Sequence, residues 1–339
     1  MFDRMVLRPL VTVCSLVTAL LLPGGAPGAS AQTAPAGAGD RPRVLVISVD
    51  ALNPVALKRL GEAGTPNLHR MLREGAYTLN ARSQVELTLT LPNHTSMVTG
   101  RRIARKHAGH GVTWNTNRRG STVQKAAGHG VGSIFSVVHA AGRSSALFAA
   151  KPKFSLFARS WPAIDRVTIK DTKDAALTKA VRTDLVDHRR AFTFLHLGDV
   201  DKAGHRHGFL SPAYLDAVRR TDRRIGTILR TVDKHDELED HLTVVLTADH
   251  GGRGANHADP RRLADFRVPF VVWGPGVAHA NLYALNPSYR DPRSRRVRFR
   301  GKQPIRNGDV ANFAASVLGL GPVPGSLWDR AQRLRASAS

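Results

Sequence analysis

The sequence is short of cysteine, of acidic side chains and of lysine, and each shortage excludes something. A single cysteine in 339 residues excludes a disulfide scaffold and a cysteine-rich zinc module. Asp and Glu number 26 against 50 Lys and Arg, a net charge of +24. Only 11 of the 50 are lysines, leaving 39 arginines spread along the whole chain. A nucleic-acid arm mixes the two types in clusters, so no specific nucleic-acid partner is expected. A basic surface does attract phosphate-bearing substrates. A P-loop, a Gly-x-Ser-x-Gly elbow and an internal repeat are all missing, which removes three common architectures for phosphate binding, ester cleavage and solenoids. What remains is 42 % hydrophobic and 22 % charged, an ordinary globular balance on a chain long enough to bury a real core.

The N-terminus reads as an address. Arg4 and Arg8 precede an apolar run from Leu10 to Leu22, and Ala29-x-Ala31 follows. This is the pattern of a secretory signal peptide over residues 1–31, cleaved before Gln32. The run is too short to span a bilayer comfortably. A secreted, periplasmic or cell-envelope protein with no membrane span after cleavage is expected. Cys14 would leave with the signal, making the mature chain free of thiols. Residues 32–42, rich in Ala, Gly and Pro, read as a flexible linker, residues 43–330 as a single catalytic domain, and 331–339 as a tail.

Five apolar runs read as strands: 44–49, 145–149, 192–197, 242–248 and 268–273. The first is continuous and β-branched, as a strand buried on both faces of a parallel sheet should be. Helical spacing is clear over 55–62, 67–74, 212–232 and 307–317. Alternating strands and helices predict an α/β fold, a doubly wound, mostly parallel sheet sandwiched by helices. The Arg-dense stretch 290–306 reads as an exposed loop or edge ribbon, with a phosphate-attracting rim as the alternative.

Three strands run directly into chemistry. The first ends at Asp50, the third leads to Asp201-x-x-Gly-His205, and the fourth to Asp249-His250-Gly-Gly, with His257 soon after. Ligand sites of open α/β sheets lie at the carboxyl ends of strands, so these residues are expected to converge. Carboxylates with imidazoles suit two divalent ions, zinc first, in the clamp used for phosphoryl displacement. Thr90 precedes a helix expected to begin near Pro92, where an anionic oxygen is favoured. Lys151 and Lys153 read as surface lysines within reach of a phosphate. His110 and His207 read as bystanders.

Together these segments resemble the alkaline phosphatase superfamily, and within it the type I phosphodiesterase/nucleotide pyrophosphatase family. The likeness rests on Thr90-Leu-Pro-Asn-His94, Thr99-Gly100, His110 to Asn115, Asp201-x-x-Gly-His205 and Asp249-His250-Gly, in the family order. It implies that Asp50, Thr90, Asp249 and His250 hold one zinc ion, and that Asp201, His205 and a third histidine hold the other. It also implies a covalent phospho-Thr90 intermediate, with Asn115 bonding a phosphoryl oxygen. The family's last zinc histidine usually lies far downstream. Here His257 is the expected residue, in a compact Gly-Gly-x-Gly-x-x-His segment, with His279 as the alternative. Sulfatases share the fold, but Thr90 cannot give their formylglycine. The expected function is hydrolysis of a small phosphate ester or nucleotide, at a phosphodiester or pyrophosphate bond. A phosphomonoesterase of the same fold and a non-catalytic polyanion-binding protein are the alternatives.

Overall fold

The computed structural model describes residues 41–337. The expected signal peptide, and all of the expected linker but Arg41 and Pro42, lie outside the described residues.

Eight strands form one mixed sheet: β1 (Arg43–Val49), β2 (Ala76–Arg82), β3 (Ser145–Ala149), β4 (Arg166–Ile169), β5 (Phe192–Leu197), β6 (Leu242–Thr247), β7 (Arg267–Trp273) and β8 (Ala280–Asn281). Their spatial order is β4-β3-β5-β1-β6-β7-β2-β8. The block from β4 to β6 is parallel throughout. β7 runs antiparallel to both β6 and β2. β1 lies at the centre with every residue buried, which is why its sequence is an unbroken apolar run. β3, β5 and β6 are equally buried.

β2, β4 and the two-residue β8 have no counterpart among the expected strands. β2 mixes polar and apolar residues and carries a register shift between Thr78 and Ala81. β4 is a four-residue edge strand, mostly half-exposed. Neither β2 nor β4 offers a continuous apolar run; residues 77–82 and 166–169 do alternate polar with apolar, a strand period that a reading by apolar runs passes over.

The helix Pro212–Val232 packs an apolar stripe, with Val218, Ile225, Leu229 and Val232 all buried. Asp222 lies on that stripe too, and its carboxylate accepts from the N–H groups of Asn67 and Leu68 at 3.4 and 2.7 Å. It thereby caps the helix Pro66–Glu74, a use of a buried acid that satisfies donors the helix start would otherwise leave open. Residues expected to form a tail instead pack against the domain. Leu334 and Ala336 are buried, and Ala278 N–H donates to the Ala336 carbonyl. The stretch 290–306 has no strand, and it is not simply exposed, because Arg306 is fully buried.

Candidate active site

Four neighbouring parallel strands, β3, β5, β1 and β6, deliver their C-terminal residues to one edge of the sheet. Asp50 follows β1 directly. Ala51 comes next with φ of 61°, a left-handed conformation that costs a non-glycine residue about 1 kcal/mol or more. That turn is held from two sides. Tyr214 hydroxyl donates to the Ala51 carbonyl at 2.7 Å, and Ala51 N–H donates to Asp249 Oδ1 at 3.0 Å. β6 ends at Thr247, and Asp249 and His250 follow, both fully buried. β5 leads into the helix Asp199–His207, where Asp201 and His205 stand one turn apart on the same face.

The expected residues gather into two groups. Asp50, Asp249 and His250 form one, and Asp201, His205 and His257 the other, with one ligand-type atom from each residue within 4.8 Å of the others in its group. His250 Nε2 lies 3.1 Å from Asp249 Oδ2 and 3.5 Å from Asp50 Oδ1. His205 Nε2 lies 3.4 Å from Asp201 Oδ1 and 3.1 Å from His257 Nε2. The rings of His250 and His257 stack at 3.7 Å, which brings the two groups side by side. His279 is exposed and in neither group.

The donor set fits divalent cations on an observation independent of any resemblance. Asp50 Oδ1, Asp201 Oδ1, Asp249 Oδ2 and His250 Nε2 are all buried without a hydrogen-bond partner. Orphaned polar atoms are costly; other side chains among the described residues have some, but every orphaned carboxylate or imidazole atom lies within the two groups and carries a lone pair suited to a metal. Three carboxylates share the centre with one ammonium. That ammonium is Lys151, just beyond β3, with Nζ 2.6 Å from both Asp50 Oδ2 and Asp201 Oδ2. The expectation of a surface lysine is therefore corrected: Lys151 bridges the two groups.

The electrostatics follow from burial and crowding. Burial would raise the Asp50 carboxyl, but Lys151, His196 and His250 hold it well below the usual carboxylate range. Burial, and then the charge of Asp50, push Asp249 well above that range. Burial lowers His250, and with the neighbouring His250 it lowers His257 to about 4. Both rings are thus kept neutral near pH 7, the form that binds metals.

Thr90 opens the helix Thr90–Thr99, two residues earlier than expected, and is buried. The segment before it is tied to the second group, since Thr88 hydroxyl donates to the His257 carbonyl and the Thr88 carbonyl lies 2.7 Å from His257 Nδ1. The helix itself is tied to the first: His94 Nδ1 lies 2.8 Å from the Thr90 carbonyl and 3.6 Å from Asp249 Oδ2. Asn115 Oδ1 accepts from Leu91 N–H at 2.9 Å and from Lys153 Nζ at 3.0 Å. The second lysine, also expected at the surface, is thereby drawn toward the helix start. His110 is buried, bonded to Ser96 hydroxyl at 3.0 Å. His207 is exposed.

Two glycines in the motifs have steric reasons. A Cβ on Gly204 would lie 2.4 Å from the Phe209 ring, which packs on His205 and His257. A Cβ on Gly251 would lie 2.1 Å from the Ala264 carbonyl oxygen. His196 was not among the expected residues. Its Nε2 lies 2.9 Å from Asp50 Oδ2, and the available signal was a lone imidazole in an otherwise apolar strand.

A cavity of about 490 Å³ opens beside the second group, lined by Lys151, Thr172, Asp201, Lys202, His205 and Arg206 among others. That volume suits a small ligand.

Comparison with known proteins agrees with this architecture. A family model described as type I phosphodiesterase / nucleotide pyrophosphatase matches residues 44–291. Human ectonucleotide pyrophosphatase/phosphodiesterase family member 7 is 25 % identical over 258 residues, covering 72 % of this chain and 54 % of the human protein. Mouse GPI ethanolamine phosphate transferase 1 is 28 % identical over 164 residues, covering 46 % of this chain and only 17 % of the mouse protein. Among solved structures, an inactive variant of murine ectonucleotide pyrophosphatase / phosphodiesterase 5 in complex with AMP superposes with a TM-score of 0.62. It is 14 % identical and covers 84 % of this chain and 96 % of that one. An alkaline phosphatase superfamily protein from Vibrio parahaemolyticus gives 0.58 at 14 % identity, over 87 % and 71 %.

Proposed function

Because the chain belongs to the type I phosphodiesterase / nucleotide pyrophosphatase family, we propose that it is a two-metal hydrolase of phosphate esters with Thr90 as nucleophile. Its favoured substrates are phosphodiesters or nucleotide pyrophosphates. The observation that carries this reading is the set of four orphaned, buried ligand atoms in two adjoining groups beside the Thr90 helix. Asp50, Asp249, His250 and Thr90 would hold one divalent ion, and Asp201, His205 and His257 the other, with zinc favoured by the carboxylate and imidazole donors. When bound, such ions lower the pKa of a coordinated hydroxyl and neutralise charge at the phosphoryl group.

Thr90 gives up its hydroxyl proton to solvent, Oγ attacks phosphorus, the P–O bond to the leaving group breaks, and the departing oxygen takes a proton from solvent. Water then loses a proton as it attacks the phospho-Thr90, the P–Oγ bond breaks, and Oγ takes up a proton to restore the threonine hydroxyl. The helix N-terminus favours the negative charge at this position. Asn115 Oδ1 is engaged by Leu91 N–H and Lys153, which leaves its Nδ2 to donate to a phosphoryl oxygen. The transferase name of the mouse relative raises an alcohol as second-step acceptor; the hydrolase reading expects product formation to be unchanged by added ethanolamine.

Among the described residues no helix is long and apolar enough to cross a membrane. With the signal pattern of residues 1–31, a secreted or cell-envelope location is proposed.

A second reading, a phosphomonoesterase, is favoured by Lys153. Its half-buried ammonium beside Asn115 supplies a cation where the extra unesterified oxygen of a monoester would need one. The test is metal analysis of the mature protein beside turnover of bis-nitrophenyl phosphate and nitrophenyl phosphate. About two zinc ions per chain and faster diester cleavage support the first reading. Faster monoester cleavage, lost selectively in Lys153→Ala, supports the second. Turnover retained by Thr90→Ala refutes both.

A further inference from the structure

A second concave surface lies outside the metal-type groups. It is a cleft of about 920 Å³ whose walls carry six arginines, Arg102, Arg290, Arg295, Arg296, Arg298 and Arg300, against one carboxylate, Glu86. Glu86 is already fully used. It receives Arg102 at 2.8 Å and the N–H groups of Ile103 and Ala104 at 2.7 and 3.3 Å.

Arg290, Arg295, Arg298 and Arg300 are exposed, and among the described residues their side chains make no ion pair and no hydrogen bond. Some arginines elsewhere among the described residues are paired with acids, as Arg166 and Arg190 with Asp184, and others, such as Arg119 and Arg220, stand exposed without one. What sets the cleft apart is six guanidiniums gathered on one concave surface, and gathered like charges cost free energy unless an anion answers them.

The cleft is also held in shape. Arg82 donates to the carbonyls of Arg293 and Arg295 at 2.6 and 3.2 Å, and Arg306 to that of Val297 at 2.8 Å. Two buried guanidiniums thus fix the backbone that presents the exposed ones. Within the lining, the Arg102 guanidinium lies over the Phe299 ring at 3.7 Å. Burial, and then the charge of Arg298, lower the Arg296 guanidinium, consistent with crowded positive charge.

We propose that this cleft is a binding site for a small molecule carrying two or more linked phosphate or sulfate groups, separate from the metal-type centre. A single orthophosphate would leave most of the guanidiniums unanswered. Linked oxyanions span several of them, each in a charge-assisted contact, within a volume typical of small-ligand sites. The assignment does not rest on the proposed hydrolase activity.

The test is calorimetric titration of the full chain, dialysed against chelator, with sodium tripolyphosphate near physiological ionic strength. Saturable one-to-one binding is expected, weakened about tenfold or more in Arg298→Ala/Arg300→Ala, equal to about 1.4 kcal/mol or more. The control Arg223→Ala/Arg230→Ala removes the same charge from exposed positions on the helix Pro212–Val232 and is expected to bind like the parent. Circular dichroism checks that both variants fold, as exposed side chains without partners should allow. Three results would overturn the proposal: equal weakening by both pairs, which is net-charge attraction alone; orthophosphate binding as tightly as tripolyphosphate; or no saturable binding.

Discussion

Two buried clusters of charge in this protein behave in opposite ways. Arg82 and Arg306 are fully buried, and each places its guanidinium among acceptors. Arg306 reaches the carbonyls of Ser83 and Val297 and the side chain of Gln303 at 2.8–3.3 Å, with Phe299 and Trp328 rings at 5.0 and 5.1 Å. Every nitrogen of Arg82 likewise donates to a carbonyl or to Asn80. At the carboxyl ends of β1, β5 and β6 the opposite holds, and four ligand-type atoms, crowded against one another, have no hydrogen-bond partner. The difference teaches where to look for function. A satisfied buried charge belongs to the architecture, whereas an orphaned one reserves a place for something that binds.

The largest test of that contrast is Asp249→Asn. Turnover is expected to fall on the order of 10³-fold or more, the scale of a lost catalytic electrostatic group, and bound metal to drop. The metal-free protein should be as stable as the parent or more so, because the charge facing Asp50 in a buried site is gone. Calorimetry in chelator beside metal analysis reads both; an Asn variant that unfolds in chelator would place Asp249 among the structural charges.

Arg306→Met should do the reverse. Leaving the Ser83 and Val297 carbonyls without donors is expected to cost about 2–3 kcal/mol of stability, seen in denaturant unfolding, with metal content per folded chain unchanged. Loss of metal at full stability would erase the distinction between the two clusters.

Lys151→Met sharpens it further. In the metal-free protein this change strips Asp50 and Asp201 of their shared cation. A loss of about 1–3 kcal/mol is expected, smaller when divalent metal is bound. Equal destabilisation with and without zinc would mean that Lys151 does not answer the same charge as the metal.

The smallest effect is in pH. His257 and His110 are lowered by burial to about 4 and about 3, against about 6.5 unfolded. Between those values the unfolded chain binds more protons at these two rings, so their contribution to metal-free stability should fall as pH drops from about 6.5 towards 4, while the raised carboxyls of Asp249 and Asp329 contribute in the opposite sense. Each such histidine contributes up to about 1.4 kcal/mol per pH unit. The His110 part is read as the difference in urea midpoint between the parent and His110→Asn across that range; a difference that does not change with pH would show that this ring is not buried neutral.

Much of this was legible in residues close together. The apolar runs of β1, β3, β5, β6 and β7 announced themselves, and Asp201 and His205 at i and i+4 carried their helical register openly. β2 carries only the alternation from Tyr77 to Arg82, which a reading by apolar runs passes over, and its polar Asn80 and Arg82 find partners near residues 291–295. Lys151 read as a surface residue because nothing near it in sequence is acidic; its partners are Asp50 and Asp201. His196 stayed hidden since a lone histidine in a strand is a weak signal until its partner, Asp50, is brought beside it.

The sequence by itself determined which chemical groups stand at strand ends, the order in which they come, and the elements that carry them, because hydrophobic periodicity and turn chemistry act over a few residues. Tertiary structure alone decided that His257 and not His279 joins the second group, that a lysine bridges the two, and that the arginines of 290–300 share one cleft. The first two depend on the side-by-side order β3-β5-β1-β6 and on burial, and the third on Arg82 and Arg306 holding the backbone of 293–297. At the metal-type groups residues 50 to 198 positions apart meet, where no short-range rule operates.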